Sequence, residues 1–355
     1  MLVLAAVLPG PAAVATAQVL VQLNAYASYT DNLFQNYTRR PDWVTLAYVD
    51  LGYRHATGLD LYYSGHASLF AEYRELFSHG HQLGVDYTWS GLEGSQVYAG
   101  ARGQVRLDRS AYRYRDYLQG NAYLQAKVYL RPLLLTRAGY EVRYREYPHA
   151  QEYSFAEQLV SAQLSRSLPT RTTLQLHGEV GVKTFARSDG GARHLAQAAL
   201  RAKVAQSLTE RTGLQLEYLR RASLTGRGRY ARTEIYDPDD ELFDDRYTYS
   251  ADEVRATLKH LAWGLQAQAS GHYGKRRYED RPALDLDGFL IGPDTMRRDT
   301  RRGLALEAER TFRPSGPRAP EVRLQAEWLY TDVDSNDPYY QTVSQVYSAG
   351  VQIGF

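Results

Sequence analysis

Hydrophobicity in this chain repeats every two residues. From Val19 onward apolar and polar side chains alternate, without the three-and-four spacing of an amphipathic helix. In residues 21–29, Val21, Leu23, Ala25, Ala27 and Tyr29 share one face, and Gln22, Asn24, Tyr26 and Ser28 share the other. The alternation returns, its register reset each time, over residues 43–54, 59–73, 82–89, 96–108, 117–130, 134–145, 156–167, 172–185 and 194–207. It continues over 212–221, 247–259, 263–274, 303–312, 321–330 and 343–355. A period of two that resets is the signature of successive strands, each apolar on one side only. The count is about sixteen, with 14 or 18 as alternatives, and most segments reach the roughly 9–11 residues that a tilted strand needs to cross a bilayer core.

The connections carry a second regularity. Those at 55–58, 90–95, 131–132, 168–171, 208–211 and 260–262 are short, whereas the intervening ones at 30–42, 74–81, 109–116, 146–151, 186–191, 222–246, 275–302 and 331–342 are mostly longer. Only 313–320, rich in Pro and Gly, strains this parity. Short turns on one side and long loops on the other are expected of an all-β, transmembrane, antiparallel up-and-down barrel. An even strand count returns both chain ends to the periplasm. Trp43 and Trp328 then fall near the outer leaflet and Trp89 and Trp263 near the inner one, as two interfacial girdles.

Composition agrees with such a barrel. Mean hydropathy is −0.50, and no apolar run beyond the first residues is long enough for a membrane helix. Tyrosine supplies 30 residues against 9 Phe and 4 Trp, favouring aromatics with a polar tip that suit a membrane–water interface. The 42 basic and 40 acidic side chains leave a net charge of +2, which gives no polyelectrolyte basis for nucleic-acid binding. With no Cys, disulfides, thiolate metal sites and cysteine-linked haem are excluded. At the amino terminus, the apolar stretch 2–8 and the small residues Ala15 and Ala17 before Gln18 are expected to form a signal peptide, residues 1–17, leaving 18–355 as one barrel domain.

Strand parity sends a charged set of side chains inward. It comprises Asp50, Arg54, Asp60, His66, Glu72, Asp86, Arg102, Arg106, Lys127, Arg137, Glu141, Arg143 and Arg145, then Glu179, Lys183, Arg201, Lys203, Glu217, Arg255, Lys259, Glu307, Glu309, Arg323 and Glu327. Facing lipid at the midplane, each Arg or Lys would cost about 2–4 kcal/mol. These residues are candidate pore lining for a polar or charged solute; the alternative is a salt-bridge network that braces the wall. The short connection 109–116 offers no long constriction loop, so any narrowing falls to wall charges or to the loops 222–246 and 275–302.

Other chemistry is thinly signalled. The acidic run Asp237 to Glu241 with Asp244 and Asp245, and the fragment Asp285 to Gly288, carry oxygen ligands without an EF-hand spacing and read better as solvated loops. His79 and His81 lack an evident third ligand. Tyr230, Tyr236, Tyr247 and Tyr249 suit an interfacial fringe more than sugar stacking. His66 with Ser68, and Ser64 with Asp60, share a lumen face, yet no nucleophile elbow or triad accompanies them, so a barrel-wall lipid hydrolase stays an alternative and no enzyme, cofactor or metal is expected.

The last stretch resembles known barrels. Tyr347, Ala349, Val351, Ile353 and Phe355 share one face of a strand that ends on an aromatic residue, similar to the closing strand of bacterial outer-membrane β-barrels. The resemblance implies that Tyr347, Val351, Ile353 and Phe355 form a signal read by the barrel assembly machinery. Met296 to Leu304, with its Arg-Arg-Asp-Thr run, and Thr331 to Tyr340, with Ser335-Asn336-Asp337-Pro338, resemble the closing hairpins of surface lipoprotein assembly modifiers and of polysaccharide-export barrels. The family carries a periplasmic tetratricopeptide domain and a barrel of fourteen strands, both departures from this chain. Together these readings place the protein in a Gram-negative outer membrane, in contact with lipid and lipopolysaccharide and with a periplasmic partner as an option. The expected function is a channel or translocation pore for polar solutes or a polymer, the alternative being help in assembling surface lipoproteins or partner subunits.

Overall fold

The computed structural model describes residues 18–92, 95–187, 192–228, 245–314 and 319–355. The expected signal peptide and the acidic run from Asp237 to Asp244 lie outside them. Sixteen antiparallel strands close into one barrel. In chain order they are β1 (Gln18–Thr30), β2 (Asp42–Arg54), β3 (Leu59–Phe70), β4 (Ser78–Leu92), β5 (Ser95–Asp108), β6 (Tyr117–Arg131), β7 (Leu134–Glu146) and β8 (Phe155–Ser167). They continue as β9 (Thr172–Phe185), β10 (His194–Ser207), β11 (Thr212–Ser223), β12 (Tyr249–Ala262), β13 (Leu265–Pro282), β14 (Met296–Phe312), β15 (Glu321–Ser335) and β16 (Thr342–Gly354). Each strand pairs with its sequence neighbours, and β1 pairs with β16 from Gln22↔Gly354 to Thr30↔Val346. The seam is finished by backbone bonds between Val21 and Phe355, 2.9 Å from Phe355 N to Val21 O and 3.4 Å in return.

The alternation in sequence becomes an inside and an outside. Leu83, Val85, Leu124, Val160, Leu176, Val180, Leu216, Val254, Leu304 and Leu306 stand exposed on the outer face, where a hydrocarbon surround would cover them. Trp43, Tyr29, Tyr347 and Trp328 lie in direct register across β2, β1, β16 and β15, with the Tyr29 and Trp43 rings 5.3 Å apart. Trp89 and Trp263 lie at the opposite end of the barrel. Trp263 occupies the two-residue turn between β12 and β13, where φ is 51° at Trp263 and 74° at Gly264, the left-handed pair that a tight hairpin of this twist requires.

Several boundaries differ from the sequence reading, among them β4, which begins at Ser78, and β15, which runs to Ser335. The turn after β12 is 263–264, not 260–262, because the backbone ladder with β13 runs to Ala262 although His260 on the outer face and Leu261 on the inner one invert the alternation. The loop expected at 275–302 is shorter, since β13 reaches Pro282 and β14 starts at Met296. In that added length the outward positions Lys275, Arg277, Arg298, Thr300 and Arg302 are polar. With both faces polar, the period-two contrast disappears while the backbone ladder continues. The segments 156–167 and 194–207, where Ala and Gln blur the contrast, are full strands, β8 and β10.

Closure depends on the terminal residue, which carries two backbone bonds of the seam. Deleting Phe355 is expected to cost about 2 kcal/mol at roughly 1 kcal/mol per bond, and to lower the heat-modifiable, inserted barrel in membrane fractions. An unchanged inserted fraction would show that the seam closes without it.

Candidate pore lining

Of the sequence-selected charges, all but Glu72 stand on interior-facing strand positions. The register carries this side from Asp50 on β2 through Arg102, Glu141, Glu179, Arg201, Glu217, Arg255 and Glu307 to Glu327 on β15. Glu72 is a correction. β3 ends at Phe70, and Glu72 is exposed in the connection that follows. There its N–H donates to Asp42 Oδ1 at 3.0 Å, beside those of Ala71 (3.1 Å) and Tyr73 (3.2 Å, to Oδ2). Buried Asp42 therefore satisfies three loop donors, and its position at the head of a strand is the signal that sequence reasoning passed over.

Many interior charges pair along the wall. Arg54 meets Asp60 at 3.2 Å, Arg201 meets Glu217 at 3.4 Å and Arg323 meets Glu309 at 3.4 Å across neighbouring strands, and Arg102 on β5 reaches over β6 to Glu141 on β7 at 3.9 Å. Ser64 donates to Asp50, not to Asp60, which Arg54 engages. Pairs of this kind brace a wall. They also set aside the Ser64–Asp60 pairing weighed for hydrolysis.

Toward the long-loop end the charges stop balancing. Arg106, Arg115, Arg143, Arg145, Arg246 and Arg276 line a cavity of about 900 Å³, together with Gln104, Tyr48 and His66, and among its described lining residues there is no carboxylate. Their acidic partners stand behind them. Asp108 takes Arg106 at 2.9 Å and Arg115 at 3.9 Å, Glu157 takes Arg143 and Arg246, and Glu253 takes Arg276 at 3.6 Å. Arg145 stacks on Tyr117, 4.3 Å from the ring centroid, and donates to Gln119 and Tyr147. Arg115, Glu157, Arg246 and Arg276 were not in the sequence-derived set. Arg115 and Arg246 lie outside the strands, where parity gives no direction.

Arg246 reaches this cavity because the connection before β12 turns inward at Asp245 to Thr248. Lys183 Nζ meets Asp245 at 2.6 Å, both nearly inaccessible, and Tyr247 Oη donates to Glu157. Asp245 also caps the turn by accepting from Tyr247 N at 3.0 Å. Gly181 makes the approach possible, since a Cβ there would collide with the Tyr247 hydroxyl. Burial, then the charge of Glu157, pushes the Tyr247 phenol above its usual range, keeping it a neutral donor. Tyr147, Phe155, Phe185 and Leu195 complete an apolar cluster around it. Tyr247 and Tyr249 are thus interior residues, not an interfacial fringe; Tyr230 and Tyr236 lie outside the described residues.

Toward the short-turn end a second cavity, about 590 Å³, has the opposite sign. Glu307, Glu309 and Glu327 line it with Asn24, Gln266, Gln268 and Gln325, and no Arg or Lys is among its described lining residues. The two cavities share Ser28, Leu46 and Tyr48. They therefore adjoin inside the barrel, a basic region above an acidic one.

The remaining candidates have structural roles. His79 and His81 face outward, with Nδ1 of His79 3.2 Å from Nε2 of His81 and Tyr63 Oη 2.8 Å from Nδ1 of His81. Asp285 shapes a turn, accepting from Phe289 N at 2.8 Å. The Arg-Arg-Asp-Thr and Ser-Asn-Asp-Pro residues lock two loops together. Arg297 pairs with Asp299 at 2.6 Å, Ser335 donates to Asp299 at 2.8 Å, Asn336 accepts from Arg298 N at 2.7 Å, and Asp337 accepts from Leu284 N at 3.3 Å.

No family model matches the sequence, and no curated protein matches it. Solved structures share its fold. OccAB1 of Acinetobacter baumannii superposes with a TM-score of 0.57 at 9% identity, covering 96% of each chain. OprD of Pseudomonas aeruginosa gives 0.53 at 10% identity over 96% of this chain and 95% of its own. Pseudomonas aeruginosa OpdK, solved with vanillate, gives 0.52 at 11% identity over 95% and 98%. In fold, the chain is a closed sixteen-stranded antiparallel barrel similar to these outer-membrane barrels.

Proposed function

We propose that this protein is an outer-membrane channel for small polar solutes, with its long-loop end facing outward and an anion preference in the outer half of the lumen. The observation that carries this reading is the arginine cavity, six guanidiniums with no carboxylate among its described lining residues, adjoining a lower acidic chamber. Low-dielectric walls focus the field of such a cluster on whatever enters. Guanidiniums offer paired donors that match carboxylate geometry, and their fixed planes let a solute pass from one to the next. The apolar outer face and the aromatic tiers fit a bilayer around the barrel. Similarity to OprD, an outer-membrane protein of Pseudomonas aeruginosa, and to OpdK solved with vanillate, itself an aromatic carboxylate, supports the same direction.

Assistance in surface lipoprotein assembly or polysaccharide export rests on the closing motifs. Those residues are occupied in joining the loop 283–295 and the start of β14 to the end of β15 and the loop 336–341, so they speak for loop architecture more than for a cargo. The channel reading is preferred.

In planar bilayers the protein is expected to conduct with anions favoured. A unit charge about 8 Å from the permeating ion is worth about 0.5 kcal/mol in water-like dielectric, so Arg106→Gln and Arg276→Gln should each lower the anion-to-cation permeability ratio about twofold. Absence of conductance, or an unchanged ratio in the double variant, contradicts the proposal. The inward turn at Asp245 gives a second expectation. Lys183→Met leaves a buried carboxylate without its cation, which should destabilise the barrel by about 3–5 kcal/mol and raise single-channel conductance as the turn leaves the lumen. Thermal unfolding and conductance unaltered from the parent would contradict the role given to this pair.

A further inference from the structure

Charged side chains on the outer face are unevenly distributed. On the long-loop half of the barrel, the outward basic residues of the described strands are Arg220, Lys275, Arg277, Arg298 and Arg302, all on β11, β13 and β14. Arg220 and Arg302 are spoken for by Asp252 and by Asp332 (3.2 Å). The other three form a compact group. Arg277 lies directly across from Arg298, and Lys275 directly across from Thr300, so three cations and a hydroxyl occupy a two-by-two patch of adjoining strands. All three cations are exposed, and among the described residues none pairs with a carboxylate. Like charges placed directly opposite one another destabilise a sheet. On the inner side of the same ladder, Arg276 stands opposite Asp299, so the like-signed pair is particular to the outer face.

Three carboxylates border the patch. Asp252 lies opposite Lys275 on β12, where Arg220 engages it, Glu279 accepts from Ser250 Oγ at 2.9 Å, and Asp334 lies opposite Thr300 on β15. Further down the same two strands the outward residues become Tyr273, Leu304 and Leu306, which begin the apolar belt. The patch therefore sits where the wall passes from hydrocarbon to headgroup depth.

We propose that Lys275, Arg277 and Arg298, with Thr300, seat a phosphate group of an outer-leaflet glycolipid whose acyl chains lie along Leu304 and Leu306. This rests on the reading of the barrel as an outer-membrane protein but not on its conducting anything, since the patch faces away from the lumen. Guanidinium and ammonium donors converging on a phosphate oxygen relieve the Arg277–Arg298 repulsion, and the adjoining apolar wall distinguishes an acylated phosphate from a soluble one.

The test is native mass spectrometry of the purified full barrel incubated with bis-phosphorylated lipid A, with the same lipid dephosphorylated, or with bis-phosphorylated lipid A in the presence of inorganic phosphate. The parent is expected to retain bis-phosphorylated lipid A about tenfold better than the dephosphorylated form, and inorganic phosphate should displace little of it. Combined Lys275→Gln, Arg277→Gln and Arg298→Gln should abolish that difference while anion conductance in phosphatidylcholine bilayers is unchanged. Equal retention of both lipids by the parent overturns the proposal without any variant. Complete displacement by inorganic phosphate overturns the lipid assignment, and full retention by a heat-modifiable, folded triple variant overturns the residue assignment.

Discussion

Everything in this molecule depends on the closure of one backbone ladder. A strand in hydrocarbon has nowhere else to place its N–H and C=O groups, and each unpaired group costs several kcal/mol there. The pairing of β1 with β16, completed by Val21 and Phe355, removes the last two edges. Once the ladder is closed, every side chain faces either outward or inward. The outer face can then be apolar with aromatic tiers, and the inner face can hold charges that no membrane helix of this hydropathy could carry.

The interior uses this freedom in two ways. Ion pairs between adjacent strands, such as Arg201 with Glu217 and Arg54 with Asp60, hold the wall and cancel their own fields. Around the long-loop cavity the carboxylates Asp108, Glu157 and Glu253 stand behind the arginines, and the guanidiniums form the surface. A nearly balanced set of positive and negative side chains, 42 against 40, thus gives a wall that is braced and an interior that is locally basic. The inward turn at Asp245 to Thr248 narrows that interior and adds Arg246 to it.

The fold was legible because a half-buried strand writes its two faces into alternate residues. Val21 to Tyr29 and Val343 to Phe355 show this most plainly, and strand number, parity and both tryptophan levels followed from it. Legibility ended where the two faces have the same character. The extensions of β13 and β14 read as loop because Lys275, Arg277, Arg298 and Arg302 face outward beside polar interior residues. Parity could place Arg106 and Arg143 inside but could not say that Asp108 and Glu157 would stand behind them. Tyr247 was out of reach, since its place against Glu157 depends on the space left at Gly181 on β9, three strands from β12 in the sheet and remote in sequence. The closing motifs were recognised, although the hydrogen bonds that explain them appear only when residues 284, 299, 335 and 337 are brought together.

The central claim is that side-chain parity divides lipid from water along every strand. The chain has no cysteine, so single cysteines can be introduced one at a time along β13 and labelled in intact membranes by a water-soluble maleimide small enough to enter the lumen. From Gln266 to His272 the even-numbered positions should react and the odd-numbered ones should be protected, and from Lys275 upward the exposed positions of both parities should react. Uniform labelling through 266–272, or reaction at the odd-numbered positions alone, would contradict the account.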